Sequence, residues 1–299
     1  MNILVSGSTG LVGTALIPVL TGAGHEVVRL VRSKARNPSK ELVGWDPAAN
    51  FIDAADLEGI EAVVHLAGEP IAGRWNAAKK NRIRDSRVQG TRLLCDTLVQ
   101  LVRPPATLVC ASAIGFYGDR GDELLTEASA AGTDFLADVC REWEGACDPA
   151  CRKGIRVVNL RFGVILSPRG GALAKMLTPF KLGGGGVIGS GRQYMSCISI
   201  DDCVGAIVHA LKNPGIAGPV NVVGHGPVTN REFTKTLGKV LGRPTVMPMP
   251  AFMARLMFGE MADALLLSSS RVDPKKLRDT GYQFQHVTLE AALRRVLGK

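Results

Sequence analysis

The fold class predicted for this 299-residue chain is a parallel α/β sheet with helices on both faces. Three observations predict it. A short apolar strand, Asn2-Ile3-Leu4-Val5-Ser6, opens directly into Gly7-Ser8-Thr9-Gly10-Leu11-Val12-Gly13, whose glycines stand three apart. A helical stretch over residues 14–21, a turn at Gly22-Ala23-Gly24 and a second strand over residues 25–31 follow. The same alternation continues through the middle of the chain, and strands alternating with helices imply parallel pairing under two helical layers. The expected architecture is a Rossmann-type doubly wound sheet with a smaller C-terminal substrate lobe.

Each part of the first unit has a chemical reason. Strand, glycine turn, helix and strand within 32 residues is the span of a dinucleotide-binding βαβ unit. Gly7 permits the tight turn, Gly10 lets a pyrophosphate approach the backbone, and Gly13 lets the helix pack closely. Free N–H groups and the positive end of the helix dipole favour that anion. The end of the second strand, Val31-Arg32, reads the ribose. A carboxylate there would bind a 2′-hydroxyl, whereas arginine accommodates a 2′-phosphate. Arg32 is followed by Lys34 and Arg36, with no acid between residues 27 and 40. The expected cofactor is therefore NADP(H) rather than NAD(H).

Further elements follow the same rhythm. Residues 62–68 form a third strand ending in small residues. Residues 81–102 form a helix with Val88, Leu93, Leu94, Leu98 and Leu101 on one face. Residues 107–111 and 156–161 are strands, separated by a helix over residues 134–147 that stops near Pro149. The second half is different. Gly183 to Gly186 and Gly189-Ser190-Gly191 lack periodicity, a helix begins near residue 199 with Asp201 or Asp202 as cap, and residues 229–241 form another helix. Met247, Met249, Met253, Met257 and Met261 have near-helical spacing, which predicts packing within the lobe, with a dimer face as the alternative. The expected division is a nucleotide-binding domain over 1–165, with later segments returning to it, and a substrate lobe over 166–299. The site belongs at the carboxyl ends of the strands.

Composition narrows the function. Hydrophobic residues at 46% and charged residues at 21% suit a globular protein. The net charge of +9 comes from scattered residues rather than a basic block, so it suits an anionic small molecule better than nucleic acid. The seven cysteines include no CxxC pair, and Cys147 and Cys151 have no nearby histidine, so no metal site is expected. A strand starting at residue 2 and the lack of an 18-residue apolar run predict neither leader nor membrane span, hence a cytoplasmic protein.

By Arg161 the order of motifs resembles the extended short-chain dehydrogenase/reductase superfamily. The resemblance rests on the Gly7–Gly13 turn, His65-Leu66-Ala67-Gly68, Ser112-Ala113-Ile114-Gly115-Phe116-Tyr117-Gly118 and Asp202. A narrower likeness is to an atypical subfamily of epimerase family proteins that includes the human family 39U member. It is carried by Arg74-Trp75-Asn76, Ser86-Arg87, Trp143-Glu144, Gly170-Gly171-Ala172-Leu173, Gly189-Ser190-Gly191-Arg192-Gln193 and Asn230-Arg231-Glu232-Phe233. The tail over residues 248–299 resembles that subfamily's C-terminal segment. The resemblance implies that Leu66, Ala67 and Gly68 lie along the cofactor and that Arg87 occupies a cleft-facing helix position. Ala111 and Val164 are expected beside the cofactor at strand ends, and Arg82 either reaches its phosphates or belongs to a solvated face. Arg192 is expected to bind an anionic substrate group or to form a structural ion pair, and His65 to be a core residue.

Most short-chain dehydrogenases carry a Tyr-x-x-x-Lys pair for proton exchange during hydride transfer. This chain has none, because Tyr117, Tyr194 and Tyr282 are followed four residues later by Gly121, Ile198 and His286. The corresponding helix offers Phe135 and Val139, or Leu136 and Cys140, depending on register. Ala113 stands at the usual serine or threonine position, and Arg87 replaces the usual asparagine. Ser112, Tyr117 and Glu69 remain as candidate acids. The expected function is an NADP(H)-binding oxidoreductase or epimerase-like enzyme acting on a small polar metabolite, with a homodimer as one assembly to be tested. The alternative is a catalytically silent NADP(H)-binding sensor.

Overall fold

The computed structural model describes residues 1–32, 41–224 and 226–299, so Lys34 and Arg36 lie outside the described residues. In chain order its central strands are β1 (Asn2–Ser6), β2 (Glu26–Arg32), β3 (Leu42–Asp46), β4 (Phe51–Ile52), β5 (Ala62–His65), β6 (Thr107–Ala113), Arg156–Phe162 and Gly218–Val222. In space β1 lies between β5 and β2. The β2 side continues through β3 to β4, and the β5 side continues through β6 to the last two strands. Every pairing is parallel except that of β3 with β4.

Side-chain alternation along the strands builds two cores. Ile3, Val5, Val64 and Val109 face helix α1 (Leu11–Gly22) and the helix Ile200–Lys212, packing with Leu16, Leu20 and Ile207. Leu4, Val63 and Leu108 face α2 (Ala77–Leu98) and α3 (Phe135–Gly145), packing with Leu94, Leu98 and Trp143. Both faces are covered, as a parallel sheet requires. Burying each such leucine or isoleucine contributes about 1.5–3 kcal/mol. A third core, with Leu173, Leu177, Phe233, Leu237 and Leu293, belongs to the second half.

Several boundaries depart from the sequence reading. Helix α2 starts earlier because the Asn76 side chain accepts a hydrogen bond from Lys79 N at 2.8 Å. Pro149 does not merely end a helix; it sits in the first turn of a short one, Asp148–Arg152. Neither Asp201 nor Asp202 caps the helix Ile200–Lys212. Ser199 does, and the Asp202 carboxylate instead accepts from Ser199 Oγ at 2.9 Å and Gln285 N at 2.7 Å. The methionine series is also corrected. Met247, Met253 and Met257 are exposed and only Met261 is buried, because the helix Ala251–Phe258 turns just Ala254 fully inward. No helix among the described residues is long and apolar enough to cross a membrane.

The C-terminal segment is fastened across the strand ends. Arg74 Nη2 donates to Leu256 O at 2.6 Å, and Gln193 Nε2 donates to Leu266 O at 2.9 Å. Leu277 joins the core on the α1 side, so this segment also packs against the central sheet.

Between β1 and β5 the chain order reverses, which is the switch point where such sheets bind ligands. A buried hydroxyl joins the two strands there. Ser6 Oγ accepts from Leu66 N at 3.0 Å and Ala67 N at 3.2 Å, which leaves its own proton for His65 Nδ1 at 2.7 Å. His65 packs edge-on against Trp45, with ring centroids 5.8 Å apart. Complete burial pushes the His65 pKa down from 6.5 to about 4. The folded protein thus binds fewer protons than the unfolded chain between those values. The stability from neutral His65 is fully present above pH 6.5 and is lost as pH falls towards 4. The expected loss is on the order of 3 kcal/mol in urea unfolding between neutral and acidic pH, and His65→Gln should flatten the slope. Parallel pH profiles for the two proteins would contradict this account.

Candidate functional site

The glycine turn is built by close backbone approach. Gly7 has φ +64°, and a Cβ there would lie 2.8 Å from the backbone carbon of Leu66. A Cβ on Gly13 would strike the Gly7 carbonyl oxygen and approach Ser8 Cα to 2.8 Å. Gly13 therefore packs the helix against the turn itself, whereas close packing on the sheet was expected. Gly10 differs, because a Cβ there would meet only Gly7 O, at 3.2 Å, and its outer side is open. Gly10 also caps α1 without a side chain, and the first helical turn contains no acid. The positive end of α1 is thus left for an external anion. Ser8 is buried, Thr9 is exposed, and Leu11 and Val12 are half-buried in the first turn.

Beside this turn lies a cleft of about 550 Å³ at the carboxyl ends of β2, β3 and β5. Arg32, Trp45, Asp46, Glu69, Arg82, Ser86 and Gln89 are among its lining residues. Val31 is half-buried just before exposed Arg32. Trp45 and Asp46 were not anticipated, because their strand is short and contains a glycine. Ser86 and Gln89 had a readable signal, since with Arg82 they recur at helical spacing on α2.

Leu66 and Ala67 are half-buried, and Gly68 is exposed. Gly68 has a close neighbour, since a Cβ there would lie 3.2 Å from Arg87 Cζ. Arg87 Nη1 donates to Glu69 O and Ile83 O, both at 3.0 Å, and its guanidinium lies 5.0 Å from the Trp143 ring centroid. Arg87 has no carboxylate within ion-pair distance among the described residues. Burial works against its charge. Two carbonyls and an aromatic face offset part of that cost. Ala111 is buried in β6, and Val164 is half-buried with its N–H on Ser196 O at 2.9 Å.

Two of the three candidate acids share one hydrogen-bond network and the third stands apart. Ser112 is buried and donates to Glu144 Oε1 at 2.7 Å. Glu144 holds Arg161 through two bonds of 2.8 Å. Arg161 Nη1 donates to the Tyr117 oxygen at 3.0 Å, and Tyr117 donates to Asn221 Oδ1 at 2.6 Å. Tyr117 is 0% exposed, and burial pushes its pKa up. Tyr117 was one of three candidate acids; the structure encloses its phenol in a polar network. Glu69 lies apart, on the cleft wall, bound to Lys79 Nζ at 2.7 Å. That bond holds its carboxyl below the usual carboxylate range, which suits an anion rather than an acid.

Helix α3 presents Leu136, Cys140 and Glu144 towards β6 and the turn after it. Leu136 lies 3.4 Å and Cys140 Sγ 4.0 Å from where a Gly115 Cβ would stand. Burial pushes the Cys140 thiol up to about 12, so it is inert at neutral pH. Phe135 turns aside to pack edge-on against Trp75, at 5.6 Å between centroids. Arg192 is exposed and has no ion-pair partner among the described residues, so the structural ion pair considered for it is not formed there.

Removing the Glu144 carboxylate would leave the Arg161 cation buried and unpaired. Glu144→Ala is expected to cost about 3–5 kcal/mol in urea unfolding, with Glu144→Gln less damaging. A loss under about 1 kcal/mol, the range of an exposed pair, would contradict a structural role for this bridge.

Comparison with known proteins identifies the family. The model of the NAD dependent epimerase/dehydratase family matches residues 3–224, and a domain of unknown function, DUF1731, matches residues 249–296. The chain is 44% identical to Epimerase family protein Mb2239 of Mycobacterium bovis, covering 97% of this chain and 96% of that protein. The crystal structure of human epimerase family protein SDR39U1 (isoform 2) with NADPH superposes with a TM-score of 0.89 at 34% identity, covering 100% of both chains. A nucleoside-diphosphate sugar epimerase structure from Corynebacterium glutamicum gives 0.82 at 38% identity, covering 100% of this chain and 58% of that one. The chain belongs to the NAD dependent epimerase/dehydratase family, in the group of epimerase family proteins that carry a C-terminal DUF1731 domain.

Proposed function

We propose that the cleft binds NADP(H) and that the protein is an oxidoreductase or epimerase-like enzyme acting on a small polar metabolite. The observation that carries the cofactor reading is Arg32 at the end of β2, lining a cleft beside an open glycine turn. The diphosphate is assigned to the Gly7–Gly13 turn, whose Gly10 side is open to a ligand. Arg32 and Arg82 are assigned to the 2′-phosphate, since guanidinium matches phosphate geometry. Arg87 holds the turn at Gly68 and Glu69 that borders the cofactor. The human SDR39U1 structure, which contains NADPH, supports the NADP(H) reading. Bound there, the nicotinamide supplies hydride transfer.

This chain's own groups supply little acid chemistry. The Ser112 and Tyr117 hydroxyls are engaged in the Glu144–Arg161–Asn221 network, and Glu69 is ion-paired. The reading is therefore a reaction whose proton comes from water or from the substrate itself. The same engagement favours a second reading, an NADP(H)-binding sensor without turnover.

Arg32→Ala is expected to weaken NADPH binding by about tenfold or more while leaving NADH nearly unchanged, as loss of a charged hydrogen-bond partner implies. Calorimetric titration checks this, and equal losses for both coenzymes would contradict the 2′-phosphate assignment. Gly10→Ala should keep the fold, within about 1 kcal/mol, yet weaken both coenzymes. Stereospecifically deuterated NADPH, incubated with a panel of carbonyl compounds and sugar nucleotides, separates enzyme from sensor. Label transfer to any member favours the enzyme, and transfer to none favours the sensor.

A further inference from the structure

Glu69 is a carboxylate inside a cleft assigned to a phosphate. Its backbone is fixed on both sides, because its N–H donates to Ser86 Oγ at 3.0 Å and its carbonyl accepts from Arg87 Nη1 at 3.0 Å. Its side chain collects cations from two elements. Lys79 Nζ lies at 2.7 Å and Arg82 Nε at 3.7 Å, both from the start of α2. The Arg32 charge acts on it from the end of β2.

The two α2 partners are held unequally. The Lys79 side chain is 15% exposed and in direct contact, whereas that of Arg82 is 60% exposed and beyond hydrogen-bond distance. Lys79 is thus committed to Glu69, while Arg82 and Arg32 remain able to take another anion. We infer that Glu69 is a resident counter-anion that competes with the cofactor's 2′-phosphate for Arg82 and Arg32. It thereby weakens NADP(H) binding and narrows its preference over NAD(H). This inference rests on the NADP(H) reading above.

The charges give the direction. A 2′-phosphate carries more negative charge than one carboxylate and offers three acceptor oxygens. It can therefore draw the two arginines, but it must do so against the field of the Glu69 carboxylate in the same cleft. In the free protein the carboxylate offsets part of the repulsion among Lys79, Arg82 and Arg32. An uncharged side chain of the same shape would remove the carboxylate nearest Arg82, leaving Asp46 and Asp85 as the cleft's other carboxylates.

The test is calorimetric titration of the full-length wild type, Glu69→Gln, Glu69→Asp and Glu69→Gln/Arg82→Gln proteins with NADPH and with NADH. Glu69→Gln is expected to tighten NADPH about fivefold, the change that removing one partly exposed ion pair allows, and NADH less than about twofold. Glu69→Asp keeps the charge but withdraws it, so an intermediate gain is expected, which also guards against poor folding of the first variant. Arg82→Gln should cancel the gain. If Glu69→Gln leaves NADPH affinity unchanged, lowers it, or tightens both coenzymes equally, while the wild type still prefers NADPH, this inference alone fails. If the wild type binds both coenzymes equally, the 2′-phosphate reading fails first and the inference falls with it.

Discussion

Backbone packs directly on backbone where β1 and β5 diverge, and the rest of the site depends on that contact. Gly7 and Gly13 leave no room for side chains, so the turn, the start of α1 and residues 66–67 form one rigid unit. The Ser6 hydroxyl satisfies two backbone N–H groups at the same point and orients His65 against Trp45. Leaving those N–H groups unpaired would cost about 1–3 kcal/mol each. A single rigid junction thus aims the helix N-terminus, the β5 turn and the wall of the cleft at one place.

Charge is distributed differently on the two sides of this junction. On the side of β2 and β3, Arg32 and Arg82 stand in an open cleft where an incoming anion can reach them. On the far side, Arg161 is buried and committed to Glu144 and to Tyr117, whose hydroxyl donates onward to Asn221. That network draws together β6, α3 and the last two strands of the sheet. It also uses up the serine and tyrosine hydroxyls that a reader of the sequence would assign to proton transfer. Of the side chains that α3 turns towards β6, Leu136 and Cys140 offer no acid at neutral pH and Glu144 is bound to Arg161.

How much of this was legible follows from the range of the interactions. The first unit was readable because its signals are local: glycines three apart, an apolar strand on each side, and an arginine at the second strand's end. Arg82, Ser86 and Gln89 could be placed on one helical face for the same reason. β3 escaped because Leu42-Val43-Gly44-Trp45-Asp46 is short and interrupted, and it is a strand through its pairing with β2. The network of Ser112, Glu144, Arg161, Tyr117 and Asn221 was unreadable because it joins five distant positions that only the folded sheet brings together. The methionines illustrate a different limit, in that periodicity identifies an apolar face but not whether anything covers it.

The central claim is that the cleft beside the glycine turn recognises a 2′-phosphorylated adenosine. Calorimetric titration of the wild-type protein with 2′,5′-ADP and with 5′-AMP tests it most directly, because neither fragment carries nicotinamide. The account requires 2′,5′-ADP to bind measurably tighter than 5′-AMP, with the difference shrinking as salt screens the arginines. Equal affinities, or no heat from 2′,5′-ADP with folded protein, would contradict it.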